Sequence, residues 1–204
     1  NIQVAVAPKH KAVWYPKELQ QHEILVNLYQ DGMCSETSDV SFQVGENVYY
    51  AHKNILALRC KKLYEIAEEC ESHEPILIGS TSGEIFKNVL DFAYSVRTPD
   101  IKNKNVAIEL LIAADCYECI HLKLYVESVI TDRFVNSENA AELLLFADSY
   151  SCALLKEAAI DAFVTDAATA KKTKEWRNVA KSNRLLMELL DVVTSSEQHE
   201  KNDI

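Results

Sequence analysis

Between Ser38 and Arg59 the apolar positions change period once. Val40, Phe42 and Val44 alternate with Ser41 and Gln43, the period of a strand with one buried face. Gly45, Glu46 and Asn47 then supply turn chemistry, since Gly and Asn tolerate the backbone angles of a reversal. Val48-Tyr49-Tyr50 resumes as a second strand. From His52 onward Ile55, Leu56, Leu58 and Leu63 fit one broad helical face, which predicts a helix to about Cys70. A hairpin feeding directly into a helix is the expected centre of the chain.

The same reading extends outward. Residues 1–22 are mixed and read as a leader or linker. His22 to Asp31 reads as an amphipathic helix, with Ile24, Leu25, Leu28 and Tyr29 on one side and Gly32 as its stop. Its apolar face has to be buried on its own domain or on a second copy. After Pro75, Ile76-Leu77-Ile78 predicts a short strand. Thr81 and Glu84, three apart, have the form of a capping box. The helix they open carries Ile85, Phe86, Val89, Leu90 and Phe92, and Pro99 prevents its continuation. Further helices are predicted over Val106 to Ala114 and from Ile120 to about Phe134, separated by a break at Asp115 to Glu118.

The next part repeats. Ala114-Asp115, Tyr117, Cys119 and Lys123 recur at a constant offset as Ala147-Asp148, Tyr150, Cys152 and Lys156. Two copies are too few for a solenoid, so two stacked helix pairs of similar build are expected. Ser137 is the expected N-cap of the second pair. A helix from Leu154 to about Ala168 leads to a basic linker at Lys171, Lys172 and Lys174. Trp176, Val179, Leu185, Leu186, Leu189 and Leu190 suggest one or two more helices up to Val193. The polar residues 195–204 are expected to lack fixed structure.

Composition narrows the function. The 204 residues are 48% hydrophobic and 25% charged, ordinary for a soluble globular protein. A formal net charge of -10 disfavours duplex nucleic acid and anionic membranes, and it either suits a basic protein partner or simply keeps the chain soluble. No apolar run approaches the roughly 20 residues of a membrane span. The chain starts at Asn1 rather than Met, so it is expected to be a piece of a longer protein with further domains upstream. Six cysteines (Cys34, Cys60, Cys70, Cys116, Cys119, Cys152) lie scattered over predicted helices in a chain too large to need staples. They read as the thiols of a reduced nuclear or cytoplasmic protein, not as a disulfide framework.

Candidate chemistry is sparse. Cys116-x-x-Cys119 has only His121 nearby, short of the four ligands of a zinc site, and helical sequence precedes it where a thioredoxin-like motif needs a strand. Structural thiols are expected. His52 has no nucleophile at a motif spacing and is expected to be buried and to cap local backbone. The acidic positions Glu65, Glu68, Glu69, Glu71 and Glu74 do not have EF-hand spacing and read as a solvated face or a partner contact. Four single glycines make no phosphate loop, and neither GxSxG nor HExxH occurs. A binding module is expected rather than an enzyme, with no cofactor and no metal.

Asp39-Val40, Val44-Gly45 and Ala51-His52-Lys53-x-Ile55-Leu56-Ala57 together resemble the signature of the BTB/POZ domain, with Asp39, His52 and Lys53 as fold-defining positions. Ile85-Phe86-x-x-Val89-Leu90-x-Phe92-x-Tyr94 and Leu110-Leu111-x-Ala113-Ala114-Asp115-x-Tyr117 are similar to later family helices. Ser137-Glu138-Asn139-Ala140-Ala141-Glu142, with Ala147-Asp148 and Leu155-Lys156, resembles the 3-box and BACK region, and the nearest subgroup is the speckle-type POZ and MATH-BTB proteins.

The resemblance implies an α+β chain. A small, mainly three-stranded sheet capped by helical hairpins over 23–134 would be followed by BACK-like helices over 135–194 and a polar tail over 195–204. It implies a homodimer through Leu25, Leu28 and Tyr29. It also implies a substrate adaptor for a cullin-3 ubiquitin ligase, in the nucleus or cytoplasm. Ile66, Glu68, Tyr117, Leu144 and Leu145 would meet the cullin-3 N-terminal region, and a domain outside these residues would recruit substrate. The family's Arg-Ser-Pro-Val-Phe is Arg59-Cys60-Lys61-Lys62-Leu63 here, and its Tyr-Thr-Gly is Tyr94-Ser95-Val96. A BTB scaffold in transcription or signalling without cullin binding therefore stays open, as does, more remotely, a redox- or zinc-responsive protein using Cys116 and Cys119.

Overall fold

The change of period at His52 is a corner between sheet and helix in the computed structural model, which describes residues 37–70, 74–95 and 98–202. Strands β1 (Val40–Val44) and β2 (Asn47–Ala51) pair antiparallel, from Val44 opposite Asn47 to Val40 opposite Ala51. The reversal is therefore Gly45-Glu46 alone, and Asn47, expected in the turn, belongs to β2. Gly45 has φ +60, where a side chain would be strained. Phe42 and Val44 face the core. Strand β3 (Ile76–Leu77) pairs parallel to β1, with Phe42 opposite Ile76, so the sheet order is β2-β1-β3 with β1 in the middle.

The single helix expected from His52 to Cys70 is two. Helix α1 (Lys53–Arg59) ends at Cys60, whose φ of -139 and ψ of 72 break the helix, and α2 (Lys61–Glu69) begins at once. Ile55, Leu56 and Leu63 are buried, whereas Leu58, expected on the same face, is exposed. It sits two residues from Leu56, about 200° round a helix. Helix α3 (Gly83–Ser95) is opened by Ser82 rather than Thr81, because the Ser82 hydroxyl accepts from Ile85 N–H at 3.4 Å. The Tyr49 hydroxyl donates to Gly83 O at 2.9 Å, and a Cβ on Gly83 would lie 2.8 Å from that hydroxyl oxygen. Phe86 packs edge-on against Phe42, Tyr49 and Tyr117 at centroid distances of 5.6, 5.4 and 5.8 Å, joining sheet to helices.

The repeat appears as two helix hairpins. Helices α4 (Lys104–Cys116) and α5 (Ile120–Arg133) form the first, α6 (Ala140–Ser149) and α7 (Ala153–Thr165) the second. In each turn one residue takes a left-handed backbone, Glu118 at φ 52 and Ser151 at φ 53, and a cysteine heads the next helix. In each hairpin the repeated lysine closes the turn onto the repeated aspartate, Lys123 to Asp115 at 2.6 Å and Lys156 to Asp148 at 3.0 Å. Lys123 Nζ also donates to Tyr150 O at 2.6 Å, fastening one hairpin to the other. Buried Glu127 on α5 accepts from Leu155 N–H at 3.1 Å, serving an N-terminal donor of α7 that Cys152 leaves unmet. Ser137, the expected cap, instead donates to Ala162 O at 2.9 Å, and Asn139 heads α6.

Helices α8 (Ala167–Ala170), α9 (Trp176–Val179) and α10 (Asn183–Asn202) complete the chain. Arg184 pairs with Asp148, and Lys156 Nζ lies 2.6 Å from Glu188, tying α10 to the second hairpin. Trp176 lies 5.1 Å from the Phe163 ring. The polar stretch from Ser195, expected to lack structure, continues α10 to Asn202, and its Glu, Gln and Lys are good helix formers. The architecture is α+β, a three-stranded sheet under helical hairpins with more helices following. Among the described residues no helix is long and apolar enough to cross a membrane.

Candidate protein-interaction surface

At the sheet-to-helix corner, Asp39 Oδ1 accepts from Lys53 N–H at 2.8 Å, supplying a cap from outside the helix. His52 is buried, but its ring does not cap local backbone as expected. Its own N–H donates to the Tyr94 hydroxyl at 2.7 Å, and its Nδ1 lies 2.9 Å from the same oxygen. Burial pushes the Tyr94 phenol up to about 12, so it stays a neutral hydroxyl. His52 Nε2 has no partner among the described residues. Lys53 Nζ reaches Glu68 at 3.0 Å, bridging α1 to α2.

Helix α2 borders the α4–α5 turn. Lys62 N–H donates to Tyr117 O at 3.2 Å. The acidic residues of α2 are partly answered by its lysines. Glu65 is held below the usual carboxylate range by its hydrogen bond to Lys62 at 2.9 Å. Ile66 is half-buried and Glu68 exposed.

Tyr117 corrects an expectation. Expected to meet a partner directly, it is only 1% exposed, because its ring is driven edge-on against Phe86 and its hydroxyl meets Ser80 Oγ at 3.3 Å. Burial raises its phenol above the ordinary value. Leu144 is likewise fully buried within α6, and Leu145 is half-buried. Leu25, Leu28 and Tyr29 lie outside the described residues, as does Cys34.

The exposed apolar side chains near this turn are others. Ile120 is 65% exposed and Leu124 51%, one helical turn apart on α5. They border an open groove of about 310 Å³ that Asp115, Glu118, Lys123 and Glu127 also line. Leu122 and Val126 take the buried side of the same helix. The signal in the sequence was a helix apolar on more than one face, which a single buried face does not explain.

The cysteines depart from the reduced reading. Cys60 and Cys119 are disulfide-bonded, 59 positions apart in the chain. Cys60 is free to turn inward because the helix breaks there, and Cys119 heads α5 directly opposite. No spacing in the sequence announces such a pair. Cys116 is exposed and free at the end of α4, and Cys152 is buried and free. Burial pushes the Cys152 thiol up to about 11, with Glu127 adding to it. Among the described residues no three of His, Cys, Asp and Glu are grouped to hold a metal ion.

The sequence profile of the BTB/POZ domain matches residues 29–133. TD and POZ domain-containing protein 3 of Mus musculus is 30% identical over 149 residues, 72% of this chain and 40% of that protein. TD and POZ domain-containing protein 4 of Mus musculus is 30% identical over 165 residues, 79% and 44% of the two chains. BTB/POZ and MATH domain-containing protein 3 of Arabidopsis thaliana is 30% identical over 108 residues, 47% and 26%. The chain thus spans less than half the length of these relatives. Among solved structures, the BTB domain of zebrafish PATZ1 has 26% identity and a TM-score of 0.45, covering 54% of this chain and 90% of that one.

Proposed function

The chain belongs to the BTB/POZ domain family of protein-protein interaction modules, which are not enzymes, and on that premise we propose that it is a dimeric substrate adaptor of a cullin-3 ubiquitin ligase. The observation that carries this reading is the junction of α2 with the α4–α5 turn. There the Lys62-to-Tyr117 backbone bond joins the start of α2 to a turn that leads into exposed Ile120 and Leu124. An apolar pair one turn apart beside an acid-lined groove fits a helix-in-groove partner with basic flanks. On this reading Ile66, Glu68 and Leu145 also meet the cullin, while Tyr117 and Leu144, being buried, act only by holding their helices in place. The helices over 135–194 act as a 3-box and BACK-like extension, in keeping with the hairpin α6–α7 stacked on α5. Substrate is recruited by a domain outside these residues, as in proteins of the speckle-type POZ and MATH-BTB kind, and the adaptor works in the nucleus or cytoplasm.

Calorimetry with the purified cullin-3 N-terminal region tests this. Binding is expected, with Ile120→Asp weakening it by about fivefold or more, since loss of an apolar hot-spot anchor at an interface centre costs over about 1 kcal/mol. No heat at tens of micromolar would sink the adaptor role. A second reading is favoured by Lys61 and Lys62, which stand where the family has Pro and Val, and by the burial of Tyr117. In that case the domain is a dimerisation scaffold in transcription or signalling.

A further inference from the structure

We propose that Cys60, Cys116 and Cys119 form a thiol-disulfide exchange centre. In it, exposed Cys116 is the entry point for a soluble peptidic monothiol of the glutathione class, and the buried Cys60–Cys119 bond is the element that responds. The proposal does not depend on cullin binding.

Three observations meet at the α4–α5 turn. The disulfide joins two side chains that solvent hardly reaches, so a soluble thiol has no direct path to either sulfur. Cys116, three residues from Cys119, is exposed and free. It lines an open groove of about 390 Å³ together with Glu109, Ser80, Thr81 and Ser82, a size and a hydroxyl-rich lining suited to a small peptide. The turn holds the two cysteines close. Cys119 N–H donates to Ala114 O at 2.7 Å and Glu118 N–H to Asp115 O at 3.1 Å, and the left-handed backbone at Glu118 folds the chain back on the last turn of α4.

The second hairpin is a built-in comparison. Its turn repeats the same backbone at Ser151 and the same cysteine at Cys152, but Ser149 stands where Cys116 would be. Cys152 remains a buried free thiol. The exchange chemistry therefore belongs to the first hairpin, where all three sulfurs are present.

The reaction balances without any other reagent than the thiol. The Cys116 thiolate attacks Cys119 Sγ. A Cys116–Cys119 bond forms as the Cys119–Cys60 bond breaks, and Cys60 leaves as thiolate and takes up a proton. A soluble thiolate then attacks Cys116 Sγ, forming an exposed mixed disulfide and releasing Cys119, which is protonated. A second soluble thiol takes its partner off Cys116 as a soluble disulfide. Two thiols are oxidised to one disulfide, the protein disulfide is reduced to two thiols, and Cys116 is regenerated. Reduction removes the covalent tie between the α1–α2 break and the α4–α5 turn, a junction at which the Lys62-to-Tyr117 hydrogen bond remains.

The test uses the whole chain in buffers of fixed glutathione to glutathione-disulfide ratio, quenched with an alkylating agent and mapped by peptide mass spectrometry. A Cys60–Cys119-linked peptide is expected in oxidising buffer, lost in reducing buffer through an adduct on Cys116. Cys116→Ser is expected to slow the loss about tenfold or more, and Cys152→Ser to leave it unchanged. Because Cys116 is exposed, its replacement leaves the core intact. Hydrogen exchange at Lys62 N–H is expected to rise on reduction. Absence of the linked peptide in oxidising buffer, a Cys116→Ser protein reduced as fast as the parent, or unchanged exchange at Lys62 would each overturn the proposal.

Discussion

At the scale of single residues, the corner at His52 shows how one tyrosine serves two elements. The first N–H groups of a helix lack intrahelical partners. Asp39 meets one of them at Lys53, and Tyr94, from α3, accepts the N–H of His52 itself. The phenol can do both jobs at the corner, taking the backbone N–H and facing Nδ1, because burial keeps it neutral. Removing its oxygen leaves both His52 groups without their shared partner in a buried site that already holds an unmatched Nε2. Tyr94→Phe is therefore expected to destabilise the chain by about 2 kcal/mol, the cost of unsatisfied buried polar groups. Chemical denaturation checks it, and an unchanged midpoint would mean that water takes over the lost bonds. His52 was legible as buried, and so was the strand-to-helix change. Tyr94 as its partner was not, because the two are 42 positions apart and no local pattern joins them.

At the scale of elements, the repeated aspartate and lysine close each hairpin, and the second pair also receives α10. Burial, the largest single influence on Asp148, pushes its carboxyl up, but its bonds to Lys156 and Arg184 outweigh this and hold it below the ordinary value. Burial likewise lowers Lys156, and its bonds to Glu188 and Asp148 outweigh that and hold it above the ordinary amine value. The signs are opposite. A depressed carboxylate stabilises above its unfolded pKa, and that stability is lost as pH falls through its folded value. A raised lysine stabilises below its unfolded pKa and loses that as pH rises through its folded value. The contact of α10 with the second hairpin is thus expected to be at full strength between about pH 5 and pH 9 and to weaken outside it. Hydrogen exchange along α10 as a function of pH measures this, and a profile unchanged by Asp148→Asn would refute the assignment. The repeat itself was visible in the sequence. That its charged residues face each other across a turn, and that Glu127 caps α7 from another hairpin, required the packing.

At the scale of the molecule, the sheet is small and the helices carry most of the core. BTB domains commonly dimerise, and the apolar side expected over residues 22–31 is a large face for a chain of this size to leave in water. Light scattering is expected to give twice the mass of one chain, and Leu25→Arg to return it to one. A single-chain mass for the parent at high concentration would rule the dimer out.

By itself the sequence determined the strands, the helical hairpins and the family, because these follow from local periodicity, turn residues and motif spacing within a few positions. It also implied an acidic binding module with no catalytic set. Only the tertiary structure decided which polar groups satisfy each other, that Tyr117 and Leu144 are buried, that Ile120 and Leu124 are exposed, and that Cys60 meets Cys119. Each of these depends on residues far apart in the chain meeting at one place. Packing sets that meeting, and the period of a single segment does not contain it.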